Sequence, residues 1–86
     1  RLETQADCFA GLFLASIGFS VSMTSQERET VIALSEAIGD DNLSGKPNID
    51  SGHGLGRSRR YWTQMGLAST NATACNTWVA PDHLVR

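Results

Sequence analysis

Leu2, Ala6, Phe9, Ala10, Phe13, Leu14 and Ile17 recur at steps of three and four residues, the period at which side chains return to one side of an α-helix. The spacing predicts a helix from Leu2 to Ile17, stopped by Gly18, with Cys8, Leu12 and Ala15 along a neighbouring flank. Thr24 stands three residues before Glu27, where hydroxyl and carboxylate can each satisfy the other's backbone donor. A second helix therefore runs to Ile38, with Val31, Ala33, Leu34, Ala37 and Ile38 as apolar positions and Gly39 as its C-terminal stop. From Asp40 to Leu55 the period lapses into Gly, Asn, Asp, Ser and one Pro, which predicts a loop of about 15 residues, a length usually reserved for functional segments. Arg57 to Leu67 reads as a third helix, with Tyr61, Trp62 and Met65 apolar and Gly66 near its end, and Asn71 caps a short last turn around Ala72 to Cys75. No strand pattern, internal repeat or low-complexity tract interrupts these elements. The fold class is all-α: a small helical subdomain of three main helices and a short C-terminal turn, in a single domain over residues 1–86.

Composition limits how that domain can be held together. With 86 residues the chain buries only about 60% of the surface its unfolded form exposes, so its core is thin. Apolar residues at 41% and charged residues at 19% nevertheless argue for folding over disorder. The formal charge of −2 gives no long-range attraction to phosphate backbones, so nucleic acid is a poor partner. The apolar run from Cys8 to Val21 is broken by Gly11, Ser16, Gly18 and Ser20 and falls short of a membrane span. No basic segment leads into a signal-peptide cleavage site, and the chain opens on Arg1 rather than Met, which reads as a piece of a longer translation product. Cys8 and Cys75 admit one pairing. Paired, they would stabilise the fold by about 4 kcal/mol and imply an extracytoplasmic compartment; unpaired, they are two buried thiols, and the residues alone leave both readings open.

Several stretches suggest chemistry and then fall short of it. The glycines Gly52, Gly54 and Gly56 alternate in "SGHGLGR" without the spacing or the preceding strand of a phosphate cradle. Arg57, Arg59 and Arg60 beside Tyr61 and Trp62 are too few charges for a nucleic-acid strand; a solvated face with one Arg anchoring a carboxylate or helix end is the better reading. Cys8 and His53 are a weak nucleophile and base pair. Asn42 and Asn71 stand in glycosylation-type triplets that are common by chance. Glu3 and Asp7 lie one turn apart on the first helix, where acidic residues ordinarily compensate the helix dipole.

The stretch "ETQADCFAG" resembles the start of the C-terminal part of the neutral zinc metallopeptidases of bacteria. "AIGDDNL" from Ala37 to Leu43, "HG" at His53 and Gly54, Arg59 followed by Trp62 and Gly66, and "ACNTW" continue the resemblance in order along nearly the whole chain. In that family two His ligands and the general base come from an HExxH helix. The resemblance implies Glu3 as the third zinc ligand and Asp7 as acceptor for the second ring N–H of a ligating His. It implies a disulfide between Cys8 and Cys75, structural anchoring by Arg59 and Trp62, and a turn rather than catalysis at His53. Thr4 stands where the family often has an apolar residue.

No HExxH occurs in these 86 residues. The expectation is thus a C-terminal portion of a zinc metallopeptidase, with no catalytic residue of its own, zinc bound in the full-length parent and none in the isolated chain, which should be inactive. Its implied partners are the N-terminal catalytic portion, a peptide substrate in the parent, and further copies of itself through apolar surface left uncovered, with no nucleic acid and no membrane contact by this segment. The implied location is extracytoplasmic: secreted, periplasmic or cell-envelope. The alternative is a non-enzymatic extracytoplasmic helical interaction module.

Overall fold

The computed structural model describes residues 1–16, 23–46 and 54–86. Among the described residues four α-helices follow in order: α1 (Leu2–Ser16), α2 (Ser25–Ala37), α3 (Asp40–Ser44) and α4 (Gly56–Ala68). Three single 3-10 turns, Ala72–Cys75, Thr77–Val79 and Asp82–Leu84, complete the chain. Among the described residues there is no strand, and the fold is all-α. The stop expected at Gly18 lies outside the described residues. The expected loop from Asp40 is corrected at its start, because Asp40–Ser44 forms α3, closed by Gly45 in the left-handed region at φ +70°.

Packing centres on α4, which lies against α1 on one side and α2 on the other. The side of α1 turned inward is not its row of large apolar residues. Thr4, Asp7, Cys8 and Gly11 are buried, while Leu2 and Phe13 are 67% and 62% exposed. The reason is a backbone contact. Helices ordinarily stand about 8–10 Å apart because side chains intervene, but here Gly66 leaves no room for one: a Cβ on it would overlap the carbonyl of Cys8. From the opposite direction, a Cβ on Gly11 would come within 2.7 Å of the Thr63 carbonyl oxygen and 2.8 Å of the Leu67 nitrogen. Only the side of α1 built from small residues can approach this closely, so the phenylalanines turn outward.

Below this seam the core is small, as the chain length requires. Cys8, Trp62, Cys75 and Val85 form its buried cluster, with Met65 and Ala80 packed against it. The Cys8–Cys75 disulfide spans 67 residues with Cα atoms 5.5 Å apart, tying α1 to the first 3-10 turn. Trp62 donates its indole N–H to the Leu84 carbonyl at 2.7 Å and meets Tyr61 edge to face. Arg1 reaches over the same C-terminal segment, donating to the carbonyls of Thr77 and Ala80 and to Asp82, while the Thr77 hydroxyl donates to the Arg1 carbonyl. The first and last turns of the chain thus close on each other through polar contacts that substitute for missing apolar area.

A second joint connects α2, α3 and α4. Thr24 and Glu27 form the full capping box at the start of α2. At its end, Gly39 adopts extended backbone that any residue can take, so helix termination does not demand glycine there. Proximity does: a Cβ on Gly39 would collide with the Gly56 backbone. Asp41 accepts the Gly56 N–H at 2.8 Å and caps α4, and Asn42 donates to the Glu36 carbonyl at 2.7 Å near the end of α2. Ile32 is the one buried residue of α2; the apolar positions Leu34 and Ile38 are exposed.

Gly66→Ala should destabilise the disulfide-intact chain by about 3 kcal/mol, the upper range for overpacking, because the obstruction is backbone rather than a movable side chain. Urea denaturation followed by circular dichroism measures this, and an unchanged midpoint would contradict the close helix contact. The Glu27 carboxyl is held below the ordinary glutamate value, first by the Thr24 backbone N–H and then by the Thr24 hydroxyl. A folded-state value below the unfolded one means that this carboxylate supports the start of α2 above the unfolded titration range, and that the support is lost as pH falls through the folded value. An NMR titration of wild type and Thr24→Ala should show a lowered Glu27 midpoint that shifts only partway back in the variant, since the backbone donor remains.

Candidate functional site

Asp7 is buried on the second turn of α1, and Glu3 is half-buried one turn before it. The contact that brings α1 against α4 also sets Asp7 opposite Arg59. Arg59 Nε donates to Asp7 Oδ2 at 2.8 Å and its terminal nitrogen donates to Oδ1 at 2.9 Å, a two-pronged pairing that fixes the plane of the carboxylate. Both side chains are largely withdrawn from water, at 12% and 11% exposure for Arg59 and Asp7. The Arg59 guanidinium is held above its ordinary value, chiefly by the Asp7 hydrogen bond; burial opposes this, and the charges of Asp7, Glu3 and Asp40 add to it. One buried cation therefore lies in the field of three carboxylates, with Asp7 bonded to it directly.

Local structure explains how Arg59 arrives there. Asp41 caps the first turn of α4, and Gly54, at φ +92°, carries the chain into that helix beside the Arg59 stem and Thr4. Each Asp7 oxygen accepts one Arg59 donor and has a second lone pair for another. Glu3 and Asp7 fit the parts of single oxygen donors, yet among the described residues no group of three His, Cys, Asp or Glu side chains could hold a metal ion. The described residues alone therefore fall short of a catalytic zinc site, which needs three protein ligands and an open position.

The other candidate residues separate. The Arg cluster points three ways: Arg59 inward to Asp7, Arg60 across to Glu29 at 2.7 Å and Glu36 at 3.5 Å on α2, and Arg57 to solvent. They form no common anion surface. Cys8 is in the disulfide, so it has no thiol to act as a nucleophile. Gly52 and His53 lie outside the described residues. Asn71 accepts the Thr73 N–H and caps the first 3-10 turn. Asn42, given no role from the sequence, fastens α3 to α2, and Arg1 fastens the two termini. Their signal lay in "AIGDDNL" and the opening Arg, but polar residues in a loop reading cannot be assigned partners 6 to 79 positions away. Among the described residues no helix is long and apolar enough to cross a membrane. That and the disulfide are compatible with an extracytoplasmic location.

Residues 1–78 match the family model described as "Putative neutral zinc metallopeptidase". The chain is similar to "Uncharacterized protein YpfJ" of Escherichia coli K12, at 35% identity over 83 residues that cover 91% of this chain and 29% of the relative. It is also similar to "Uncharacterized protein Rv2575" of Mycobacterium tuberculosis H37Rv, at 25% identity over 97 residues, covering 95% of this chain and 33% of that protein. The chain thus spans about a third of the length of these curated relatives. No solved structure matches it.

Asp7→Ala should destabilise the fold by about 2 to 3 kcal/mol, somewhat below the penalty for stranding a fully buried charge, because Arg59 keeps slight access to water. Asp82→Ala, at the exposed ion pair with Arg1, should cost far less. Thermal denaturation of the two variants makes the comparison, and equal losses would contradict the burial difference.

Proposed function

Because the chain belongs to the neutral zinc metallopeptidase family, we propose that it is the portion of a zinc peptidase that supplies the carboxylate ligand Glu3. The two His ligands and the general base then come from an HExxH segment outside these 86 residues. Asp7 accepts the second ring N–H of one of those His residues through the lone pairs that Arg59 leaves available, fixing the ring's orientation and basicity. Arg59 is the positioning residue for Asp7, and Trp62 holds α4 to the C-terminal turns. Zinc, when bound, would polarise a peptide carbonyl and acidify a bound water toward a pKa of about 7. Taken alone, this chain would not hydrolyse peptides. The disulfide supports an extracytoplasmic setting for the whole protein.

The observation that carries this reading is the pairing of Asp7 with Arg59 one turn beyond Glu3. A dipole-compensating first turn requires only loosely held acidic side chains in solvent. Here the second carboxylate is buried and fixed in plane by a two-pronged arginine, which is how a group that must orient a ligand is held. A second reading, a non-enzymatic helical interaction module, is supported by the exposed apolar residues of α1.

Zinc content of the full-length gene product separates the two. Glu3→Ala should lose the metal, Asp7→Asn should retain it about 10- to 100-fold more weakly, and Glu36→Ala, a partly exposed carboxylate on α2, should retain it fully. Stoichiometric zinc in a folded Glu3→Ala protein would overturn the ligand assignment.

A further inference from the structure

Apolar surface left in water is unfavourable in proportion to its area, and α1 exposes a full stripe of it. Leu2, Phe9 and Phe13 are 67%, 42% and 62% exposed. Steps of seven and four residues align them on the side of the helix opposite Cys8 and Gly11. The stripe runs about 16 Å along the axis at the usual rise per residue. Toward the C-terminal end of α1 it opens into a groove of about 440 Å³, where Phe9, Leu12 and Phe13 face Ser69 and Thr70 and, among the described residues, no charged side chain takes part. At the other end Trp78, 59% exposed, bonds to Gln5 at 3.4 Å and extends the apolar area. The Cα atoms span 36 × 28 × 13 Å, about the depth of two packed helices, and among the described residues no further layer covers this side. Contiguous exposed apolar surface of this kind marks an interaction site.

We propose that the occupant is the remainder of the same polypeptide, an apolar surface of the longer protein that packs on the Leu2–Phe9–Phe13 side of α1. The relatives carry this region as 29% and 33% of their length, so most of each chain lies outside it. A tethered segment acts at an effective concentration of about millimolar, which lets an uncharged, modest surface dock without the area a free partner requires. The lining of the groove by Phe9, Leu12, Phe13 and Ala15 selects an apolar occupant over an acidic or basic one. Glu3 lies on α1 between this stripe and the side that holds Asp7. A segment laid on Leu2 and Phe9 passes beside it and can deliver further ligands there. A second copy would instead pair the stripe with itself and bring only another Glu3. The arrival of ligands beside Glu3 rests on the proposed metal role; the docking rests on the apolar surface.

Hydroxyl-radical footprinting of the full-length gene product, read by mass spectrometry, tests the docking. Leu2 and Phe13 should be oxidised at least about tenfold more slowly than in the same protein unfolded in urea, as buried interface residues are, at all protein concentrations. Oxidation of both near their unfolded rates overturns the proposal. Protection that disappears on dilution assigns the surface to a second copy and overturns it equally. Zinc analysis of Glu3→Ala keeps the two claims apart. Protected residues with zinc retained refute the ligand role alone, and unprotected residues with zinc lost refute the docking alone.

Discussion

The contact between the backbones of α1 and α4 at Gly11 and Gly66 governs the rest of this structure. A side chain at either glycine would occupy space already filled by the other helix's main chain. With the helices this close, the buried side of α1 can hold only small or flat groups, and Thr4, Asp7, Cys8 and Gly11 satisfy that condition. Three consequences follow from the one constraint. Cys8 is brought to Trp62 and Cys75 in the core, Asp7 is brought to Arg59, and the larger apolar residues of α1 are forced to the surface. A structural disulfide, an oriented carboxylate and an unsatisfied apolar stripe thus share one geometric cause.

The Asp7–Arg59 pair is poor evidence for stability and better evidence for function. A pair withdrawn from water gives up hydration of both ions, and that loss commonly offsets their attraction. Apolar residues of similar volume would pack this seam at least as well. What the pair provides is a carboxylate whose plane and position are fixed within a helix pair that is itself rigid. Glu3, one turn away on the same helix, inherits that rigidity through the backbone. A ligand for a metal with strict coordination distances benefits from such a mounting, which is why membership in a zinc metallopeptidase family and the geometry of the first two turns support a common reading.

The glycines show how far local sequence rules reach. Gly45 ends α3 in the left-handed conformation that disfavours other residues, an ordinary local reason. Gly39 stands where a helix stop is expected, yet its backbone is extended and its requirement is the nearness of Gly56. Gly66 looks like the approach of a helix end and is instead the centre of a helix crossing. For Gly39 and Gly66 the sequence marks the position, while the reason depends on another segment of the chain. The same holds for Asp41 and Asn42, which read as loop residues and serve as caps for helices on either side of their own.

By itself the sequence determined the all-α class, the starts of the three long helices and the ends of α2 and α4 to within a residue or two, the Thr24–Glu27 capping box, the Asn71 cap and the placement of Glu3 and Asp7 on one side of α1. These rest on contacts between residues a few positions apart, which periodicity and capping chemistry encode directly. The tertiary structure alone decided which side of α1 is buried, that Asp40–Ser44 is helical, that Ile32 anchors α2, and which of three neighbouring arginines turns inward. Each depends on how closely two distant backbones can approach, and a hydrophobic pattern counts apolar area without knowing that distance. Where the closest approach was made by glycines, the most apolar side of the helix became its outer side.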